Sequence, residues 1–324
     1  MQQQWQEWLS ATLGDPKLSD FKEIQSLWSG YGTCCRFYSA QRKQSLVAKV
    51  IMPRIDATHP RGWQSSHSHQ RKLRSYNVES HFYRHYQPML SDGCYAPQLI
   101  ASESAGDQQL LILEDLTPAG FPDTMLKMTP EQTHVVLRWL ANYHARFMHT
   151  HDSALWKSGG YWHLGTRQQE WEIMEEGELK QKAKAIDTYL SDCRFKSLVH
   201  GDAKIANFCF STSGDRCAAV DFQYCGHGIG VIDVAYFLGS ALSESELIEH
   251  TDDLLDAYFC YLREALLSTP FVIETDAIIA EWRQAYPVAC ADFCRFLTGW
   301  SPQHAKLNRD LHARTCYALT IIGQ

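Results

Sequence analysis

The chain changes its hydrophobic rhythm partway along. Between Glu23 and Leu113 the apolar residues come in short runs bounded by turn formers, whereas from Thr129 onward they recur every three or four positions. Residues 1–20 mix Gln, Trp and polar residues ahead of the breaker Gly14-Asp15-Pro16, which predicts a short leading helix and a turn. Glu23 to Ser39 reads as two strands, carrying Ile24, Leu27 and Trp28 and then Cys35, Phe37 and Tyr38, joined by the Gly-rich turn Ser29-Gly30-Tyr31-Gly32-Thr33. Ser45 to Met52, apolar and stopped by Pro53, is the next strand. A His- and Arg-rich loop from His59 to Arg74 follows. Val78, Phe82, Tyr86 and Met89 then fall at helical spacing and predict a helix over Tyr76 to Leu90. Gln98 to Ser102 and Gln109 to Leu113 read as further strands. Roughly five strands with one helix and no βαβ alternation predict an antiparallel sheet.

The second rhythm opens at Thr129-Pro130-Glu131, an N-cap with Pro at the first helical position, and Val135, Val136, Trp139, Leu140 and Tyr143 form the stripe that helix should bury. Helices dominate from there, with long ones over Leu247 to Leu267 and Asp276 to Trp300. The exception is a compact patch of short β-like runs from Ser197 to Phe222. The expected organisation is a helical extension at 1–22, a β-rich lobe at 23–116 and a mostly helical lobe at 117–324, divided near Glu114 to Pro118.

Composition narrows the class. The 324 residues are ample for a full core, and no apolar run approaches the roughly 18 residues of a membrane span. Lys+Arg 30 against Asp+Glu 37 leaves a charge of -7, so there is no basic footprint for nucleic acid. The 11 cysteines are odd in number and lack any CxxC pair, which argues against a disulfide framework or a zinc ribbon and for a reducing compartment. Met1 to Trp8 has neither the positive region nor the apolar stretch of a signal peptide. The expectation is a cytoplasmic protein.

The chemistry concentrates in His200-Gly201-Asp202-Ala203-Lys204-Ile205-Ala206-Asn207, followed after a short hairpin by Val220-Asp221-Phe222-Gln223. Phosphoryl transfer needs a carboxylate to orient and deprotonate a hydroxyl, oxygen ligands for Mg²⁺, and a cation near the transferring phosphate. Asp202 suits the base, Asn207 and Asp221 the metal, and Lys204 the phosphate. Asp and Gly are also common turn formers, but chance would have to supply both the HxDxKxxN string and the Asp-Phe at hairpin distance. Other motifs are weaker. His81 and His85 share a helix face but lack the glutamate of HExxH, and Gly226, Gly228 and Gly230 open no strand-to-helix turn. There is no GxxxxGK[ST], and Cys290 and Cys294, on one helix face, suit core packing.

With VHGDAKIANF, VDFQ and then GVIDVAYFL at Gly230 to Leu238, the chain resembles the aminoglycoside phosphotransferase and choline kinase-like superfamily, and is most similar to its ecdysteroid-kinase-like branch. The resemblance runs from about Glu23 to Trp300 and is tightest over 197–239. It implies an α+β, bilobal protein-kinase-like fold that takes ATP and Mg²⁺, with 23–116 as the nucleotide-binding lobe. It also implies that Lys49, a charge in an apolar strand, holds the α- and β-phosphates, with Glu79 as its ion-pair partner. Gly30, Gly32 and Thr33 would lie in a phosphate-covering loop, although Cys35 stands where that loop's third glycine is expected. Glu114 and Leu116 would offer backbone groups to adenine. His200 and Asp233 would support the catalytic loop.

Only 11 residues separate Asp221 from Asp233, too few for the segment on which a protein kinase seats a peptide, so a small-molecule hydroxyl is the expected acceptor. Candidates for its pocket are Tyr224 and the helix carrying Trp282, Tyr286, Asp292, Phe293, Phe296 and Trp300, where aromatic rings can cage a quaternary ammonium or line an apolar alcohol site. The same rings at helical spacing are equally what a core helix shows. The competing class is a nucleotide-binding pseudokinase or regulator without transfer; the sequence does not fix the oligomeric state.

Overall fold

The computed structural model describes residues 2–27, 30–53, 66–269 and 274–322. Trp28 and Ser29 of the expected Gly-rich turn, and the stretch 59–65 of the expected His-rich loop, lie outside the described residues. The chain divides into two units, Met1–Met89 with Ala96–Asp123, and Leu90–Tyr95 with Thr124–Gln324.

The first unit opens with helix α1 (Gln2–Leu13) and continues through strands β1 (Leu18–Ser26), β2 (Gly32–Ser39) and β3 (Gln44–Ile51), helix α2 (Ser66–His85), and strands β4 (Leu99–Ala105) and β5 (Gln108–Glu114). The strands form one sheet in the order β1-β2-β3-β5-β4, antiparallel throughout. Side chains alternate across a strand. Leu46, Ala48 and Val50 therefore enter one buried cluster with Cys35, Phe37, Leu110, Ile112 and Leu9 of α1, while Ile51 on the opposite face packs with Leu27, Tyr31 and Tyr76 of α2. Lys49 has the parity of Ile51.

Helix α2 is longer than its apolar spacing predicts, beginning at Ser66 and ending at His85. Ser66 to Arg74 contains no Gly or Pro, and its His, Gln, Lys and Arg side chains tolerate a helix without marking an apolar stripe. The pattern becomes visible only where Tyr76, Glu79, Phe82 and Tyr86 turn inward.

A two-residue strand, β6 (Asp123–Thr124), leads to the second unit, where α3 (Pro130–Arg146) starts with a full capping box between Thr129 and Gln132. The short helices α4 (Gln168–Glu172), α5 (Glu178–Gln181) and α6 (Ala183–Asp192) precede the strands β7 (Ser197–Val199), β8 (Phe208–Phe210), β9 (Cys217–Ala219) and β10 (Gly226–Gly228). β7 pairs with β10 and β8 with β9, both antiparallel. The Gly226–Gly228 run is thus a strand. Helices α7 (Val231–Ala241), α8 (Glu244–Leu267), α9 (Thr275–Trp300) and α10 (Arg309–Ile321) complete the unit. α10, not anticipated from the pattern, packs Ala318 and Leu319 against Ile186 of α6 and Val288 and Ala291 of α9. Among the described residues, no helix is long and apolar enough to cross a membrane.

Candidate active site

In the first unit Lys49 lies centrally on β3, opposite Leu111 of β5, and Glu79 lies on α2. The Lys49 ammonium donates to both carboxylate oxygens of Glu79, at 2.9 and 2.7 Å. With Lys49 only 6% and Glu79 1% exposed, neither charge is tolerable alone and each satisfies the other. The turn before β2 is built on glycine: Gly30 has φ +71° and Gly32 φ +146°. A Cβ on Gly32 would stand 1.8 Å from the Val50 carbonyl oxygen, so only glycine permits that approach. The Leu27 amide closes the turn by donating to Gly32 O at 2.9 Å, and Thr33 begins the strand beyond it. At the end of β5 the Glu114 amide donates to Gln98 O, and Leu116 O accepts from the Phe121 amide.

The second unit gathers the remaining expected residues on one loop and its supports. Gly201 has φ +78°, and a Cβ there would meet Tyr224 O at 2.1 Å, which makes the bend after β7 a glycine position. Asp233, fully buried at the start of α7, accepts from the amides of His200 (2.6 Å) and Gly201 (2.9 Å) and meets His144 Nε2 at 3.1 Å. His200 Nδ1 accepts from the Asp202 amide, so its proton sits on Nε2, which donates to Val220 O at 3.0 Å. One imidazole thereby joins the loop to the segment carrying Asp221.

Asp202 itself is 7% exposed. Its Oδ2 accepts from Lys204 Nζ at 3.1 Å and from Asn207 Nδ2 at 3.0 Å, and Asn207 also donates to the Asp202 carbonyl. Among the described residues Oδ1 is buried with no hydrogen-bond partner, although the Asp202 side chain is near enough to the Tyr236 hydroxyl to add to burial in raising its pKa. Burial pushes the Asp202 carboxyl above its ordinary value; the Lys204 charge opposes this and the Asp221 charge adds to it. Burial works against the Lys204 ammonium, but the Asp202 and Asp221 charges outweigh it and hold its pKa high. Asp221 sits at φ +70° and accepts from Gln223 Nε2 at 2.6 Å.

A metal has a chemically fitting place here. Because Asn207 uses its NH₂ on Asp202, its amide oxygen is left for another partner, and Asp221 supplies a carboxylate. Two hard oxygen donors, with water and phosphate oxygens completing the shell, are what Mg²⁺ takes. Among the described residues there is no cluster of three His, Cys, Asp or Glu side chains that would make an all-protein metal cage.

A cavity of about 290 Å³ adjoins Asp202 and Lys204 in the same unit. Of the expected pocket residues, Tyr224 and Trp300 line it, together with Phe293. Trp282, Tyr286 and Asp292 are placed elsewhere. Trp282 is wholly buried and donates to Phe195 O, Tyr286 lies under Arg314, and Asp292 is held by Arg295 at 2.8 Å. Tyr161, Tyr236, Leu297, His304 and Lys306, not anticipated from the sequence, complete the wall. Tyr236 stood inside a quoted motif, whereas Lys306 follows α9 in a segment with no periodic signal.

The strand order and the arrangement around Asp202 define a kinase-like α+β fold of two units. A choline kinase from Cryptosporidium parvum Iowa II shares that fold, with a TM-score of 0.53 at 10% identity over 93% of this chain and 88% of its own. A Plasmodium vivax ethanolamine kinase gives 0.49 at 10% identity over 92% and 81%, and an aminoglycoside-3'-phosphotransferase of type VIII gives 0.47 at 12% over 87% and 98%. The model of the ecdysteroid kinase-like family matches residues 39–155 and 162–270, more than half of the chain, and the chain belongs to that family. No curated protein matches it.

Proposed function

We propose that the protein is an ATP- and Mg²⁺-dependent phosphotransferase that moves the γ-phosphoryl group to a hydroxyl of a small molecule. The observation that carries this reading is the divided state of Asp202: Oδ2 is held by Lys204 and Asn207, while Oδ1 is buried beside a cavity with no hydrogen-bond partner among the described residues. A carboxylate so fixed orients an acceptor hydroxyl on Oδ1 and takes its proton as the hydroxyl oxygen bonds to the γ-phosphorus and ADP departs. Its raised pKa makes it the stronger base. Lys204 stabilises charge on the transferring group, and Lys49, held by Glu79, binds the donor phosphates as a point charge. Asn207 and Asp221 would hold Mg²⁺, which would neutralise charge on the donor phosphates. Gly30, Gly32 and Thr33 approach the phosphates through backbone groups, Glu114 and Leu116 serve adenine, and His200 and Asp233 fix the loop. The domain assignment of 1–22, 23–116 and 117–324 belongs to this proposal, as does a cytoplasmic location.

The test is a library of hydroxyl compounds with ATP, followed by ADP release with and without Mg²⁺. A compound-dependent signal that falls roughly 10²–10⁴-fold in Asp202→Ala, with ATP binding retained, supports the assignment. Asp221→Asn should instead lose the Mg²⁺-dependent part of ATP binding in calorimetry. If ATP binds and no compound lifts ADP release above the Asp202→Ala level, the protein is a nucleotide-binding regulator.

A further inference from the structure

The cavity beside Asp202 contains a second ammonium with an unusual setting. Lys306 Nζ lies 4.4 Å from the Tyr236 ring centroid and 5.8 Å from that of Phe293, and among the described residues it makes no ion pair and no hydrogen bond. Apart from Asp202, whose Oδ2 is already shared by Lys204 and Asn207, no carboxylate among the described residues lines the cavity. A quaternary ammonium or amine acceptor is ordinarily recognised by aromatic faces and by carboxylates. Here the chain's own ammonium already lies over two of those faces, Tyr236 and Phe293, and Asp202 is the one carboxylate among the described lining residues. Burial also lowers the Lys306 pKa, to about 8, with the Lys204 charge adding to the effect and the Asp202 charge opposing it, as expected of a cation short of compensation. At neutral pH it still carries its proton.

We infer that Lys306 is an acceptor-specificity residue: it fills the aromatic corner with the chain's own ammonium, excludes amine and quaternary-ammonium acceptors, and selects a hydroxyl compound bearing an anionic group such as a carboxylate, sulfate or phosphate. This rests on reading the cavity as the acceptor site. The ring walls at Tyr161, Tyr224 and Trp300 take the acceptor's apolar body, its hydroxyl faces Asp202 and its anion meets Lys306. A charge-assisted hydrogen bond of this kind is worth roughly tenfold to a hundredfold in affinity.

The experiment uses triplets of hydroxyl compounds that share a ring scaffold and differ only in carrying a carboxylate, a carboxamide or an aminomethyl group, para-(hydroxymethyl)benzoate with its amide and amine being the simplest. Binding to the full chain is read by calorimetry and transfer by ADP release. The carboxylate members should bind at least about tenfold more tightly than the amines in the wild type and in Lys306→Arg, and the gap should fall below about threefold in Lys306→Met. Equal or tighter binding of the amines, a gap that persists in Lys306→Met, or no binding by any triplet overturns the inference. A charge preference without transfer to any member leaves Lys306 in its role and counts against the phosphotransferase reading instead.

Discussion

In the β-rich unit the buried charge is closed: Lys49 spends its ammonium on both oxygens of Glu79, and the two together present a settled pair. Around the Asp202 loop buried charge is left partly open: among the described residues Oδ1 of Asp202 has no hydrogen-bond partner, and the Lys306 ammonium lies over the Tyr236 and Phe293 rings without an ion pair. Asp233, in contact with the same loop, shows that the openness is local, because its carboxylate is met by two amides and His144. Burial alone therefore does not mark a reactive group. A missing partner beside a cavity is what distinguishes Asp202 from Asp233, and the proposed function makes use of it. Glu170, whose Oε2 is likewise buried without a hydrogen-bond partner among the described residues, does not line that cavity.

The sharpest way to break this comparison is to open the closed pair. Lys49→Met strands the Glu79 carboxylate and should lower stability by roughly 3–5 kcal/mol in chemical denaturation, most of which Glu79→Leu added to it should restore. A loss below about 1 kcal/mol would mean that the pair is not closed in solution. The opposite sign is expected at Asp202. Burial raises its folded pKa above the ordinary 3.8, so the ionised form works against folding: the stability tied to this group is full below 3.8 and is lost as pH rises through the higher folded value. Asp202→Asn should thus be about 1 kcal/mol more stable than the wild type at neutral pH, with the advantage shrinking on acidification. An Asn variant less stable than the wild type at neutral pH would place Asp202 among the closed groups. The smallest effect is a neutral control. Thr129→Ala removes the capping box of α3 and should lower the thermal midpoint by the equivalent of about 1 kcal/mol at neutral pH. The loss should shrink only as acid protonates Glu131, whose carboxyl its own backbone amide and Thr129 together hold below its ordinary value; a loss that varies on the alkaline side would show that uncharged contacts also carry the difference.

Much of this was written in local sequence. The Thr129-Pro130 start, the strand Gln44–Ile51 with its single lysine, and the loop from His200 to Asn207 each depend on neighbours a few positions away, and each is found where the pattern predicts it. The acceptor wall was less legible, for a geometric reason. Trp282, Tyr286, Phe293 and Trp300 lie on one helical stripe, and periodicity gives the face a residue occupies without giving its depth. Over the roughly 27 Å that separate Trp282 from Trp300 at 1.5 Å per residue, that stripe runs from wholly buried core to the cavity. Lys306 was hidden for a second reason. Its rings come from α7 and α9, distant in sequence, and nothing adjacent to it advertises them.

The Asp233 carboxylate has a dynamic consequence. Because one side chain receives the amides of both His200 and Gly201 and also meets the imidazole of His144, those contacts break together or not at all. The bend ahead of Asp202 then fluctuates as part of the α3 and α7 framework, and its amide protons exchange with solvent only when that framework opens. The carboxylate proposed as the base is thus carried on a bend that this framework holds in place before any substrate arrives.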